Sequence, residues 1–98
     1  MSFNTQETNE ILKISGVLDI SGADVLRDAL ASYLERCSVA KVDLSEVESC
    51  DPTALQLFYS ARKSAKGRHQ SFEITGVSKA MKLVCLDLGV NLDELIHQ

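Results

Sequence analysis

The 98-residue sequence has no tryptophan, a single proline, only two histidines and no long hydrophobic run. Each shortage closes a route. Without an apolar stretch of about 20 residues, nothing in the sequence spans a bilayer as a helix. The two histidines, His69 and His97, read as a loop residue and a C-terminal residue, and neither reads as a zinc ligand. No excess of basic charge is present: the net charge is −4 and the pI about 5.0. Nucleic acid and anionic membrane are therefore not expected partners. Cysteine is sparse too. Cys37, Cys50 and Cys85 are odd in number, widely spaced and free of any CxxC pair. They read as free thiols of a reducing cytoplasm, packed as small buried hydrophobes. The first ten residues, MSFNTQETNE, have neither a basic start nor an apolar core, so no signal peptide is expected. No GxSxG, HExxH, GxGxxG or P-loop pattern occurs. The expectation is a protein that is no enzyme and needs no metal and no cofactor.

What is present is an ordinary globular balance, 45% hydrophobic and 24% charged, in a length that suits one small domain, residues 1–98. Residues 2–6 read as a short first strand, turning near Thr8 and Asn9. EILKISGVLD follows as a second strand, with Gly16 marking a bulge or bend. In SGADVLRDALASYLERC, Leu26, Leu30 and Leu34 recur with helical spacing, and Ser21 with Asp24 reads as the capping pair. VAKVDL (39–44) is a β-branched strand and SEVES a loop. Residues 52–66 form a second helix with Ala54, Leu57, Phe58, Ala61 and Ala65 on one face. Arg62, Lys63 and Lys66 crowd its last turns, where cations suit the helix dipole, and Gly67 reads as its left-handed terminator. HQSFEITG is a further strand. Ser78 caps a third helix closed by Gly89, and Asn91 opens a last short one. The order ββαβαβαα, alternating after the first hairpin, predicts a largely parallel sheet backed by helices.

The single proline falls at the most informative join, CDPTALQLF. Asp51 suits the N-cap, where its carboxylate accepts from the free N–H groups of the first turn. Pro52 suits N1, with its φ preset and no N–H to satisfy. Thr53 then falls at N2, a hydroxyl in the turn where helix N-termini favour anions. On these residues alone Thr53 is a helix-start residue. Cys50, just before, reads as a small residue packed beneath the helix start, with redox control the less favoured reading.

Taken end to end, the chain resembles a STAS domain, the fold of anti-sigma factor antagonists. ILKISGVLDISGADVLRDAL resembles the family's strand, Gly-x-Leu-Asp turn and first helix; KVDLSEVESCDPTALQLF resembles its strand, Asp-Leu-Ser and Asp-Ser-Ser-Gly-Leu signature; FEITGVSKAMKLVCLDLGVN resembles its closing strand and helix. DPTALQLF is also similar to the subgroup associated with bacterial chemotaxis and sensory operons. The resemblance implies an α/β fold: a single STAS-like domain, a four-stranded mixed sheet with helices packed largely on one side, order ββαβαβα(α). It implies that Thr53 is the phosphoacceptor, since it stands at the third position of the Asp-Ser-Ser-Gly signature, while Pro52 and Ala54 replace its second and fourth residues. It implies a cytoplasmic bacterial signalling domain that binds a protein partner, an anti-sigma factor/serine-threonine kinase or other signalling kinase, with no membrane insertion. The partner surface would be Asp19, Ile20, Ser21 and Gly22 before the first helix, with Asp51, Pro52 and Ala54 at the second. The competing readings are a non-enzymatic STAS subunit of a lipid-transport ATPase complex and a signalling scaffold never phosphorylated at Thr53. A receiver domain is set aside because the chain is short and no acidic pair follows its early strand.

Overall fold

A computed structural model describes residues 3–8 and 10–89. Its order is β1 (Phe3–Thr8), β2 (Ile11–Leu18), a single 3-10 turn (Ile20–Gly22), α1 (Ala23–Arg36), β3 (Val39–Cys50), α2 (Pro52–Gly67), β4 (Ser71–Val77) and α3 (Lys79–Asp87). The sheet order is β1-β2-β3-β4, with β1 antiparallel to β2 and the other two pairings parallel. The expected four-stranded mixed sheet and its element order are therefore observed. The last short helix, opened at Asn91, and His97 lie outside the described residues.

Burial follows from alternation. Leu12, Ile14 and Leu18 of β2, Ala40, Val42 and Leu44 of β3 and Ile74 of β4 are buried, while the residues between them are half-buried or exposed. One face of the sheet thus collects the apolar side chains. The helices supply the other half of the core: Leu26, Leu30, Tyr33 and Leu34 from α1, Ala54, Leu55, Phe58, Ala61 and Ala65 from α2, and Met81 and Cys85 from α3. The Tyr33 hydroxyl reaches through this core to the sheet, accepting from the Lys41 N–H at 3.0 Å and lying 2.8 Å from the Glu10 carbonyl.

Three local expectations are corrected. SEVES is not a loop: β3 continues through it to Cys50, paired with β2 alone. Its pairing jumps from Lys13↔Asp43 to Ser15↔Glu46 and from Gly16↔Val47 to Val17↔Ser49, so β3 carries two extra residues. Those bulges move the buried positions to Val47 and Cys50, three apart, and erase the period-2 signal. Gly16 sits at the second irregularity with φ 99°, a backbone region glycine enters without penalty. Second, Ser21 does not cap α1. Gly22 holds the N-cap position without a side-chain bond, and the capping acceptor lies earlier, at Asp19. Third, Gly67 stays within α2. The left-handed residue after the helix is His69, φ 59°.

Candidate functional site

Parallel pairing decides where the predicted site residues meet. Leu18 and Cys50, the last residues of β2 and β3, are register partners. The chain therefore leaves both strands at the same corner of the sheet. One exit carries Asp19 to Gly22 and the other Asp51 to Ala54, and the Asp51 N–H donates to the Leu18 carbonyl at 2.7 Å. The β3–β4 pairing stops at Leu44↔Val77, so this corner runs six residues of β3 beyond that edge.

At the first exit, Asp19 organises the turn. Its Oδ1 accepts from the Ser21 hydroxyl at 2.5 Å and from the N–H groups of Ser21 and Gly22 at 3.1 and 3.3 Å. These bonds, the Ser21 hydroxyl foremost, hold the Asp19 carboxyl below the usual aspartate range. Ser21 is exposed and Gly22 is buried.

At the second exit, the sequence reading is met residue by residue. Asp51 is the N-cap, with Oδ1 accepting from the Thr53 N–H at 2.8 Å, and Pro52 opens the helix. The first helical bond closes from the Leu55 N–H to the Asp51 carbonyl at 3.1 Å. Pro52 is exposed, Thr53 and Asp51 half-buried, and Ala54 fully buried. The Ala54 methyl thus faces the core, and the surface of this turn is formed by exposed Pro52 and half-buried Thr53. Beneath them the Cys50 thiol is buried against the core. Burial, then Cys85 and the Asp51 carboxylate, push its pKa up to about 12, so the reactive thiolate is suppressed. The packing reading of Cys50 fits this; a redox role does not. All three cysteines are free thiols, with Cys85 buried and Cys37 half-buried.

Ser78, at the end of β4, caps α3 as expected, accepting from the Met81 N–H at 3.2 Å, and Gly89 follows α3 with φ 69°. What the sequence reading missed is at the far end of α2. Arg62, assigned there to helix termination, is a buried side chain. No helix among the described residues is long and apolar enough to cross a membrane.

A family model described as "Mlab, STAS domain" matches residues 1–96. The fold is shared with an anti-sigma factor antagonist from Mycobacterium paratuberculosis, at 20% identity and a TM-score of 0.79, over 98% of this chain and 84% of that one. It is also shared with the Bacillus cell fate determinant SpoIIAA in its phosphorylated form, at 15% identity and a TM-score of 0.65, over 91% and 85% of the two chains. The unphosphorylated form of SpoIIAA matches at 14% identity with a TM-score of 0.68, over 91% and 82%. At these identities the likeness is one of fold. The sequence matches no curated protein at a significant level.

Proposed function

The chain belongs to the STAS domain family, and from that premise we propose that it is a bacterial, cytoplasmic signalling domain that binds a protein partner and is switched by phosphorylation of Thr53. The observation that carries the proposal is the shared corner: the Leu18↔Cys50 pairing sets the Asp19–Gly22 turn beside the start of α2. Two segments 32 residues apart in sequence, counted from Asp19 to Asp51, thereby form one candidate surface, with Ser21 and Pro52 exposed and Thr53 half-buried.

In this reading the domain is a substrate and a ligand, and the catalysis is its partner's. A serine-threonine kinase, an anti-sigma factor or another signalling kinase, docks on the corner with ATP. The Thr53 hydroxyl oxygen attacks the γ-phosphorus, its proton passes to a base of the kinase, and ADP leaves. The new phosphate adds about −1.5 to −2 charges at pH 7. Within the domain it stands in the first turn of α2, where the helix N-terminus favours an anion. It also meets the Asp51 carboxylate, which already holds the Thr53 N–H. The partner surface that accepted a neutral hydroxyl then faces an anion. A change of about 1.4 kcal/mol in that contact alters affinity tenfold, so one phosphate suffices to release the complex.

The test is capture of the partner from the native host by wild-type, Thr53→Ala and Thr53→Glu chains. The proposal expects wild type and Thr53→Ala to retain it and Thr53→Glu to lose it at unchanged thermal stability. Equal capture by all three overturns the switch and leaves a constitutive docking surface.

A further inference from the structure

The second half of α2 passes over the start of β4, and there, among the described residues, a charge has no ion-pair partner. Arg62 is only 8% exposed. Its Nη2 is shut off from solvent without a hydrogen-bond partner, and none of the ion pairs among the described residues involves it. Gln70, which lines the same cleft, holds a second unpartnered atom, its Oε1. Its orientation is fixed from behind. The Gln70 amide nitrogen donates to the Leu34 carbonyl at 2.6 Å and to the Cys37 carbonyl, so turning the amide over would set its oxygen against two carbonyl oxygens. The cleft has a volume of about 400 Å³ and is lined by Arg62, Lys66, Gln70, Ser71 and Phe72. That volume is within the range of small-molecule sites.

Buried polar groups are satisfied as a rule, and buried charges are paired. Here a guanidinium and an ammonium line a cleft with no carboxylate among its described lining residues, beside an acceptor that needs a donor and an aromatic wall. A water molecule in the cleft would leave the charge uncompensated. We propose that the cleft between the C-terminal half of α2 and the start of β4 binds a small organic oxyanion, a phosphate monoester or a carboxylate that also carries a hydroxyl. Arg62 takes the oxyanion through the planar fork that suits such groups, Lys66 adds a second positive charge, and Gln70 Oε1 accepts from the hydroxyl. Phe72 covers the carbon skeleton. The site stands roughly 14 Å along the helix axis from Thr53 and does not depend on the reading of that residue.

The test is thermal unfolding of the full chain at constant ionic strength with inorganic phosphate, glycerol 3-phosphate and lactate as probes. A molecule that binds only the folded state raises Tm as its concentration passes Kd, by roughly 10–20 °C at a hundredfold excess. The expectation is a saturable rise with at least one probe, lost in Arg62→Met, which keeps the aliphatic bulk and removes the charge. A glycerol 3-phosphate effect exceeding that of inorganic phosphate identifies a phosphate monoester; a lactate effect alone identifies a hydroxy acid. Ser71→Glu, which sets a tethered carboxylate in the cleft lining, is expected to abolish the response while remaining folded. No rise with any probe, or the same rise in wild type and Arg62→Met, overturns the proposal. So does an undiminished rise in Ser71→Glu should Arg62→Met fail to fold.

Discussion

The two ends of α2 are built on opposite terms. At the N-terminus, Asp51 caps the Thr53 N–H, Pro52 supplies no donor to satisfy, and the Asp51 N–H is tied to Leu18. At the other end, Arg62 and Gln70 each keep a buried polar atom unmatched. One helix thus begins on a turn whose capped N–H is met from within the chain and carries, in its second half, a buried guanidinium nitrogen that is not. The difference teaches where to look for modification and where to look for a ligand. A satisfied, partly exposed turn presents a hydroxyl in fixed geometry. An unsatisfied buried pair calls for something from outside.

The largest effect is expected from the packing that both ends share. Phe58 lies midway along α2 and is fully buried, so Phe58→Ala should cost about 3–5 kcal/mol. Urea unfolding measures this, and a loss below 1 kcal/mol would mean that α2 does not anchor on the sheet through this residue. Next is the N-terminal end alone. Asp51→Ala leaves the Thr53 N–H without its acceptor and should cost about 1 kcal/mol, the usual worth of such a cap. An unchanged unfolding midpoint would show that the cap is idle and that the two ends are less different than they look. The smallest effect concerns the neighbouring turn. Because the folded-state pKa of Asp19 is lowered, its contribution to stability is complete above the unfolded value of about 3.9 and is lost as pH falls through the lower folded value. Carboxyl NMR should show Asp19 titrating below about 3.9, with Ser21→Ala moving it upward by removing the largest cause. An Asp19 that titrates at the ordinary value with or without Ser21 would dissolve the turn as a preorganised part of the corner.

The N-terminal end of α2 was legible because its signals are local. Asp51, Pro52 and the apolar spacing from Ala54 to Ala65 each speak for a helix start within a few residues. The opposite end was not, because burial of Arg62 depends on β4 lying alongside, and three cations near a helix C-terminus have a sufficient local explanation in the dipole. The corner itself was half legible. Its two segments could be named from the family signature, but their meeting rests on a β3 that runs on to Cys50. Polar residues at 45, 46, 48 and 49 hid that extension, since the bulges space Leu44, Val47 and Cys50 three apart. The α1 cap was misplaced for a related reason: Asp19 and Ser21 are both good capping residues, and the 3-10 turn between β2 and α1 settles the choice for Asp19.

The central claim is that Thr53 receives a phosphate, and mass spectrometry of the chain purified from its native host reads it directly. Trypsin releases residues 42–62 as one peptide, which carries Ser45, Ser49, Thr53, Tyr59 and Ser60 as competing hydroxyls. The account predicts a fraction of this peptide carrying one phosphate, with fragment ions placing it on Thr53 and the signal lost in Thr53→Ala. A phosphate on any of the other four, or an unmodified peptide under every growth condition in which the partner is captured, would contradict it.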